Sequence, residues 1–246
     1  MFKHAASLLF LSLGFAFCAE PTGELTRFET NAPVTDFTLP MFGANGYKIW
    51  DLAGKQGRYQ SQEHIEIDEL RLRVFSGDEQ VRVDVTIESP HALVNAKASQ
   101  ARGEGFLYVQ GPGYSVTGKK WYWDDKADLL EINSDVQLTF VSDKPDSPPI
   151  LISSEKLRIE TQEAGYHFVF TGKVRVINDR TEMQSPALQA WSERAAEKSG
   201  PDARPSGIRR ILADQGVVVL QPGRRLTAQK AELPEASLGR EIVLTG

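Results

Sequence analysis

The sequence has very few of the residues on which catalysis or disulfide bonding depends. Its only cysteine is Cys18, so a mature chain that begins after the N-terminal apolar run has neither a disulfide nor thiol chemistry. His64, His91 and His167 have neither metal-ligand spacing nor a cysteine partner. There is no Gly-x-x-x-x-Gly-Lys-Ser/Thr nucleotide loop and no Gly-x-Ser-x-Gly nucleophile elbow. The sequence therefore predicts no catalytic residue, no cofactor and no metal site.

Acidic residues outnumber basic ones, 33 to 28, and the chain has little helical periodicity. Its formal net charge is −5 and 25% of its residues are charged, so bulk electrostatics do not favour nucleic-acid binding. The 20 glycines and 13 prolines are scattered along the chain as turn punctuation. Segments with strand-like alternation follow one another from Thr35 to Thr245. This pattern predicts an all-β fold.

The N-terminus has the features of a routing signal. Lys3 and His4 precede an apolar run from Ala5 to Ala19, and these 15 residues are fewer than the ~20 that a membrane-spanning helix needs. We predict a cleaved signal peptide at residues 1–19, a flexible leader at 20–33 and export to the periplasm. An uncleaved inner-membrane anchor and a lipid attached at Cys18 are the open alternatives.

One pattern occurs three times along the chain. Each copy consists of a glycine, a short alternating strand, a polar turn and a second alternating strand. The copies begin at Gly105, Gly172 and Gly216 and read GFLYVQGPGYSVTGKKWYW, GKVRVINDRTEMQSPALQAW and GVVVLQPGRRLTAQKAEL. Because the copies share no chemically reactive residue, the repeat indicates architecture and a binding surface rather than a reaction centre.

Superposing the three glycines predicts which side chains point inward. One face of the first strand carries Lys173 and Arg175 in the middle copy, so it tolerates charge. The other face is aliphatic in every copy, and alternation along a strand predicts that it forms the interior. The members of this predicted interior stripe are Leu107, Val109, Val174, Val176, Val218 and Leu220.

These motifs, in this order, resemble the OstA-like proteins of the lipopolysaccharide transport bridge. The segment Phe37 to Gly54 (FTLPMFGANGYKIWDLAG) is similar to the opening of LptC-like domains. From Ile152 onward the chain resembles LptA, with Phe170 to Val174 (FTGKV) matching one family hairpin and Ile242 to Gly246 (IVLTG) matching another motif. The resemblance implies an LptC-like unit at 34–143 and an LptA-like continuation at 150–246, joined at KPDSPP (144–149).

The resemblance implies a β-jelly roll or β-taco of two antiparallel sheets, with acyl chains held in an apolar trough between them. The expected function is that of a periplasmic bridge component that carries lipopolysaccharide or a similar lipid towards the outer membrane. The expected partners are other OstA-like proteins, added through strand edges, and an inner-membrane transporter complex, with no nucleic acid. The main alternative is a structural or assembly protein whose β repeats pack shut. A more remote one is a carbohydrate-active enzyme that uses Glu66 and Asp68.

Two groups of residues follow as candidate sites for a lipid. The predicted trough lining comprises Leu107, Val109, Val116, Trp121, Trp123, Ile132, Leu138, Phe140, Phe168, Phe170, Val174, Val176, Val218, Leu220, Leu226 and Leu244. The predicted headgroup contacts are the basic pairs Lys119–Lys120 and Arg224–Arg225, since arginine and lysine bind phosphate oxygens.

Overall fold

β-Strands make up most of the described part of the chain. The computed structural model describes residues 32–61, 63–95, 97–111, 113–124, 126–141, 148–162, 165–193, 208–234 and 242–246. The predicted signal peptide and most of the predicted leader lie outside these residues. The strands are β1 (Val34–Phe42), β2 (Lys48–Tyr59), β3 (His64–Phe75), β4 (Val83–Asn95), β5 (Gln100–Gly111), β6 (Tyr114–Asp124), β7 (Leu129–Phe140), β8 (Ile150–Ser154), β9 (Lys156–Gln162), β10 (Gly165–Asn178), β11 (Thr181–Glu193), β12 (Ile208–Gln221), β13 (Arg224–Pro234) and β14 (Val243–Thr245).

The strands form one antiparallel sheet in which sequence neighbours are also spatial neighbours. The order is β1 to β8 and then β10 to β14, with β9 placed beside β7 and β10. Alternation of apolar and polar residues explains why these segments are strands: in β7, Leu130, Ile132, Val136, Leu138 and Phe140 are buried. The all-β prediction is confirmed, and the sheet is consistent with a jelly-roll or taco-like fold.

The strand pairing divides the sheet into two walls along a line that crosses the strands near their middle. The second half of β7 (136–140) pairs with β8, whereas its first half (129–132) pairs with β9. In β10 the order is reversed, because residues 165–171 pair with β9 and 175–178 with β8. We call the wall that contains β8 the first wall and the wall that contains β9 the second wall. Each long strand around them contributes one half to each wall.

The boundary between the walls, which we call the bend line, is marked by left-handed backbone conformations inside the strands. Glu69, Lys120, Asp135, Lys173 and Gln215 all have positive φ angles. Pairing registers shift at the same level, for example between Thr171 and Val174 and between Asp214 and Val217. Such bulges leave residues unpaired and bend a strand sharply. The bulges therefore lie where the sheet folds over on itself.

Side chains on the bend line satisfy the polar groups that bending exposes. Three buried serines each donate their hydroxyl to the carbonyl two residues ahead, at 3.0 Å for Ser89, 2.8 Å for Ser154 and 2.7 Å for Ser185. Exposed ion pairs connect neighbouring strands there, with nitrogen–oxygen distances of 2.9 Å in Lys55–Glu69, 3.1 Å in Lys119–Asp135 and 2.7 Å in Lys173–Glu155. Exposed pairs of this kind contribute little to stability. The serines, which are buried, are the more important polar groups.

The sheet continues across the predicted join between the two halves. Strand β7 lies before this segment and β8 after it, and the two pair from Val136–Ser154 to Phe140–Ile150. Buried residues of both halves also belong to one hydrophobic cluster. The walls on the two sides of the join therefore share one interior.

Candidate functional site

The interior of the first wall is a continuous row of apolar side chains that crosses the sheet. Consecutive pairings connect one residue of each strand to the next. The members of this first rung are Leu39, Leu52, Leu72, Ile87, Val109, Val116, Leu138, Ile152, Val176, Met183, Val219 and Leu226. The central members from Val109 to Val219 are 0–4% exposed. At the two ends, Leu39 is 52% and Leu226 is 42% exposed.

The second wall has an equivalent row. Its rung consists of Tyr59, Ile65, Val94, Ala101, Trp123, Leu130, Ile159, Phe168, Ala190, Ile211 and Leu233. Phe168, Ala190 and Ile211 have no exposed surface. Tyr59, at the end of the row, is 58% exposed. Burial is lost at both ends of the first rung, whereas in the second rung it is lost only at Tyr59, because Leu233 at the other end is 5% exposed.

An aromatic cluster joins the two walls at the centre. Tyr114 and Phe140 belong to the first wall, whereas Tyr166 and Phe168 belong to the second. The ring centroid of Phe168 lies 5.7 Å from that of Tyr114 and 5.5 Å from that of Phe140, both in edge-on geometry. Burial raises the pKa of the Tyr114 hydroxyl. The walls are therefore in contact here, and their own side chains fill the interior.

Most of the predicted lining residues lie in this filled interior. Fully buried members of the predicted set are Leu107, Val109, Val116, Trp121, Ile132, Leu138, Phe140, Phe168, Phe170, Val174 and Val176. Trp123 and Leu244 are half-buried and pack against the same cluster. The indole nitrogen of Trp121 donates to Ser89 Oγ at 3.3 Å. The inward orientation predicted for these side chains is confirmed, whereas contact with a lipid stays a prediction.

The inward orientation predicted for Val218 and Leu220 is wrong. Their neighbours Val217 and Val219 are buried, at 1% and 2% exposure, so Val218 and Leu220 lie on the outer face. The reason is the position of glycine within the bulge. In β10 the two left-handed residues are Gly172 and Lys173, but in β12 they are Gln215 and Gly216. Aligning the glycines therefore shifted the third copy by one residue, which exchanges the two faces of a strand.

Leu226 requires a different correction. It lies on the first rung opposite Val219, as an inner residue should, but it is 42% exposed. Within the described residues, β14 pairs only with positions 230–232 of β13. The part of β13 that contains Leu226 thus forms an edge of the described sheet, and no neighbouring strand covers its side chain.

The structure separates the two predicted headgroup pairs. Lys119 and Lys120 lie on the bend line, where Lys119 pairs with Asp135 at 3.1 Å. Arg224 and Arg225 lie at the turn between β12 and β13, at the opposite margin of the first wall. Since bend line and turn lie at different margins of the wall, the two pairs do not form one site.

Sequence reasoning missed the interior of the first four strands. On the inner face of the first wall, Leu52, Leu72, Val85 and Ile87 are half-buried, in contrast to the closed centre. Leu52, Val85 and Ile87 also pack against the main cluster. Alternation in LRLRV and VDVTI signals these positions. These four partly accessible apolar residues lie together on the inner face of β2–β4, and we call them the open lining.

A histidine and two carboxylates form a polar cluster on the outside of the second wall. His91 Nδ1 lies 2.9 Å from Asp68 Oδ1, and His91 Nε2 lies 3.2 Å from Glu66 Oε1. Arg58 also pairs with both carboxylates, at 3.2 Å from Asp68 and 3.6 Å from Glu66. The Arg58 guanidinium compensates the charge of the two acids that a glycosidase would use. The cluster therefore connects β2 and β3 through ion pairs, and β3 and β4 through the polar contacts of His91.

Other features of the described chain offer little room for a ligand. A surface depression of about 100 Å³ lies beside His64, Asn95, Gln100, Arg102 and Tyr122, which is far below the ~300–1,000 Å³ typical of ligand pockets. Among the described residues, no three His, Cys, Asp or Glu side chains are grouped as a metal site. No helix in the described part of the chain has the length and apolar character needed to cross a membrane.

Comparison with known proteins does not assign the chain to a family. No protein-family model matches the sequence, and no curated protein matches it.

Proposed function

We propose that the protein is a non-catalytic, periplasmic lipid-binding segment of an OstA-like bridge, with acyl chains held against the open lining between the walls. The supporting observation is that the first apolar rung extends to β1 and β13 and becomes accessible at both ends. Leu39 at one end of the first rung is 52% exposed, and Leu226 at the other is 42% exposed. Covering exposed apolar side chains lowers the free energy of the system. Contact with a lipid tail or with a continuing apolar interior is therefore favoured at these ends.

Edge strands provide the route to protein partners in this proposal. Within the described chain, β1 pairs only with β2, and β13 pairs with β14 over three positions. Their remaining backbone groups are available for strand addition. Other OstA-like proteins, and through them an inner-membrane transporter complex, are the proposed partners. Lipopolysaccharide or a similar amphiphile would then pass along a shared interior.

The closed centre favours a second candidate, an assembly protein that binds partners through its edges and carries no lipid. The contacts between Phe168, Tyr114 and Phe140 fill the space that an acyl chain would need. If the protein carries lipid, the lipid occupies the ends of the fold, or the walls separate at this cluster. If it is an assembly protein, neither occurs.

Site-specific photo-crosslinking distinguishes the two candidates. A photoreactive side chain at Leu72 or Ile87 would lie in the open lining, whereas one at Val218 or Leu220 would lie outside the first wall. In cells, we expect lipopolysaccharide adducts at 72 and 87 and none at 218 and 220. Adducts at all four positions would indicate nonspecific surface contact. If no position gave a lipid adduct while an OstA-like partner still co-purified, the assembly role would be supported instead.

A further inference from the structure

Most positively charged side chains of the described chain are paired with an acid. Arg73, for example, holds buried Asp51 at 2.7 Å, and Arg175 holds Glu182 at 2.7 Å. Among the described residues, the exposed cations whose side chains make no hydrogen bond or ion pair with an acid or a carbonyl are Arg102, Lys120, Lys156, Arg180, Arg224 and Arg225. Three of these six, all arginines, lie on two neighbouring hairpin turns.

Pairing geometry brings these turns together. Arg180 lies in the turn between β10 and β11, and Arg224 and Arg225 follow the turn between β12 and β13. Gln221 Nε2 donates to Thr181 Oγ1 at 3.2 Å, so the two turns are in contact. Gln221 is also paired with Arg224. At a strand spacing of about 4.8 Å, the backbones of Thr181 and Arg224 are roughly 10 Å apart, which long arginine side chains can span.

The three arginines lie at the rim of the interior. Arg224 is two residues from Leu226 and therefore faces the same side of β13, the side of the first rung. Arg225 alternates to the outer face. The acids nearest in sequence are Asp179, which is exposed, and Glu182, whose carboxylate is held by Arg175 and Gln184. The arginines therefore carry a net positive charge beside a half-exposed leucine.

We propose that Arg180, Arg224 and Arg225 form a binding site for phosphate groups, and that this site orients the headgroup of a phosphorylated amphiphile at the rim. The lipid part of this inference rests on the proposed function. Guanidinium groups bind phosphate oxygens through paired, charge-assisted hydrogen bonds, and several of them around one dianion reinforce each other. The site replaces the predicted headgroup role of Lys119 and Lys120, which lie on the bend line.

Binding of the full chain to phosphatidylcholine nanodiscs, with and without phosphatidic acid, tests the site. Each cation near a phosphate contributes about a fivefold gain in water, so R180Q/R224Q/R225Q should weaken binding to phosphatidic acid roughly 100-fold. The matched control R102Q/K120Q/K156Q removes three unpaired charges elsewhere and should leave the affinity within about fivefold of the wild type. Added salt should weaken wild-type binding. Both variants alter exposed side chains, and circular dichroism verifies their folding.

The possible results separate the site from the lipid-binding function. Equal losses in the two variants would show that only net charge matters, and no loss in R180Q/R224Q/R225Q would also overturn the site. If the wild type did not bind nanodiscs but bound inorganic phosphate through the three arginines, the phosphate site would be supported and the lipid-binding function would be refuted. Crosslinks from Leu72 and Ile87 that persist in R180Q/R224Q/R225Q, with unchanged affinity, would support lipid binding and refute the site.

Discussion

Replacing Phe168 by alanine tests whether the walls are in contact at the centre of the fold. The ring is fully buried and lies within 5.5–6.4 Å, centroid to centroid, of Tyr114, Phe140 and Tyr166. Removing a buried phenylalanine side chain costs about 3–5 kcal/mol, and the edge-on ring pairs it makes are worth roughly 0.5–1.5 kcal/mol each beyond area burial alone. We therefore expect F168A to lower the free energy of unfolding by about 4 kcal/mol.

Urea unfolding followed by circular dichroism measures this loss. The matched control is F106A, which removes the same side chain from a position that is 45% exposed, and it should cost less than about 1 kcal/mol. F168L keeps most of the buried volume and should have an intermediate effect, which protects the test if F168A fails to fold. A loss for F168A no larger than that for F106A would refute the closed centre and favour walls held apart.

Two further predictions concern the bend line and the acid dependence of stability. A Cβ atom at Gly103 would lie 2.5 Å from Trp121 Nε1 and 2.8 Å from the carbonyl oxygen of His91, whereas one at Gly105 meets nothing within 4 Å. G103A should therefore lower Tm and shift the tryptophan emission. An equal loss of Tm in the control G105A would contradict this prediction. Hydrogen bonds from Arg175 and then Gln184 lower the pKa of Glu182 to about 2 from 4.5. Because the folded state has the lower pKa, this stabilisation is complete above pH 4.5 and is lost as the pH falls towards 2. In E182Q, the free energy of unfolding should no longer fall with the protonation of residue 182 as the pH is lowered from 4.5 to 2. The difference from the wild type should be small because the pair is exposed to solvent. If stability had the same pH dependence in E182Q and the wild type, that result would count against the pairing.

The sequence was sufficient to predict an all-β fold and the buried face of most repeat strands, but it gave the wrong face for β12. Alternation identifies a strand, and one bulge reverses the faces of everything that follows it. In β10 the bulge begins with glycine, while in β12 it ends with glycine. The left-handed residues Lys120 and Asp135 have no glycine at all. No residue preference therefore identifies all the bulges, and Val218 was predicted to face inward for that reason.

A usable signal was nevertheless present at the bend line. Ser89 and Ser185 each precede a proline within a strand-like segment, where a proline cannot donate a backbone hydrogen bond. Both serines are buried and donate their hydroxyls across that break. A serine–proline pair inside an alternating segment thus predicts a bend. The half-exposed interior of β2–β4 was missed for another reason, since the repeat by which the interior was located begins only at Gly105.

The distribution of burial along the first rung bears on whether this sheet functions alone. A sheet that ends in solvent usually presents charged or polar residues at its edges, because exposed apolar edges promote association. Here the rung stays aliphatic through both end members, with Leu39 52% and Leu226 42% exposed. Its central members could not distinguish a closed core from a trough, since both require apolar side chains. An accessible aliphatic residue at each end is what continuation of the interior into a partner would require, so the end members support the proposed strand addition.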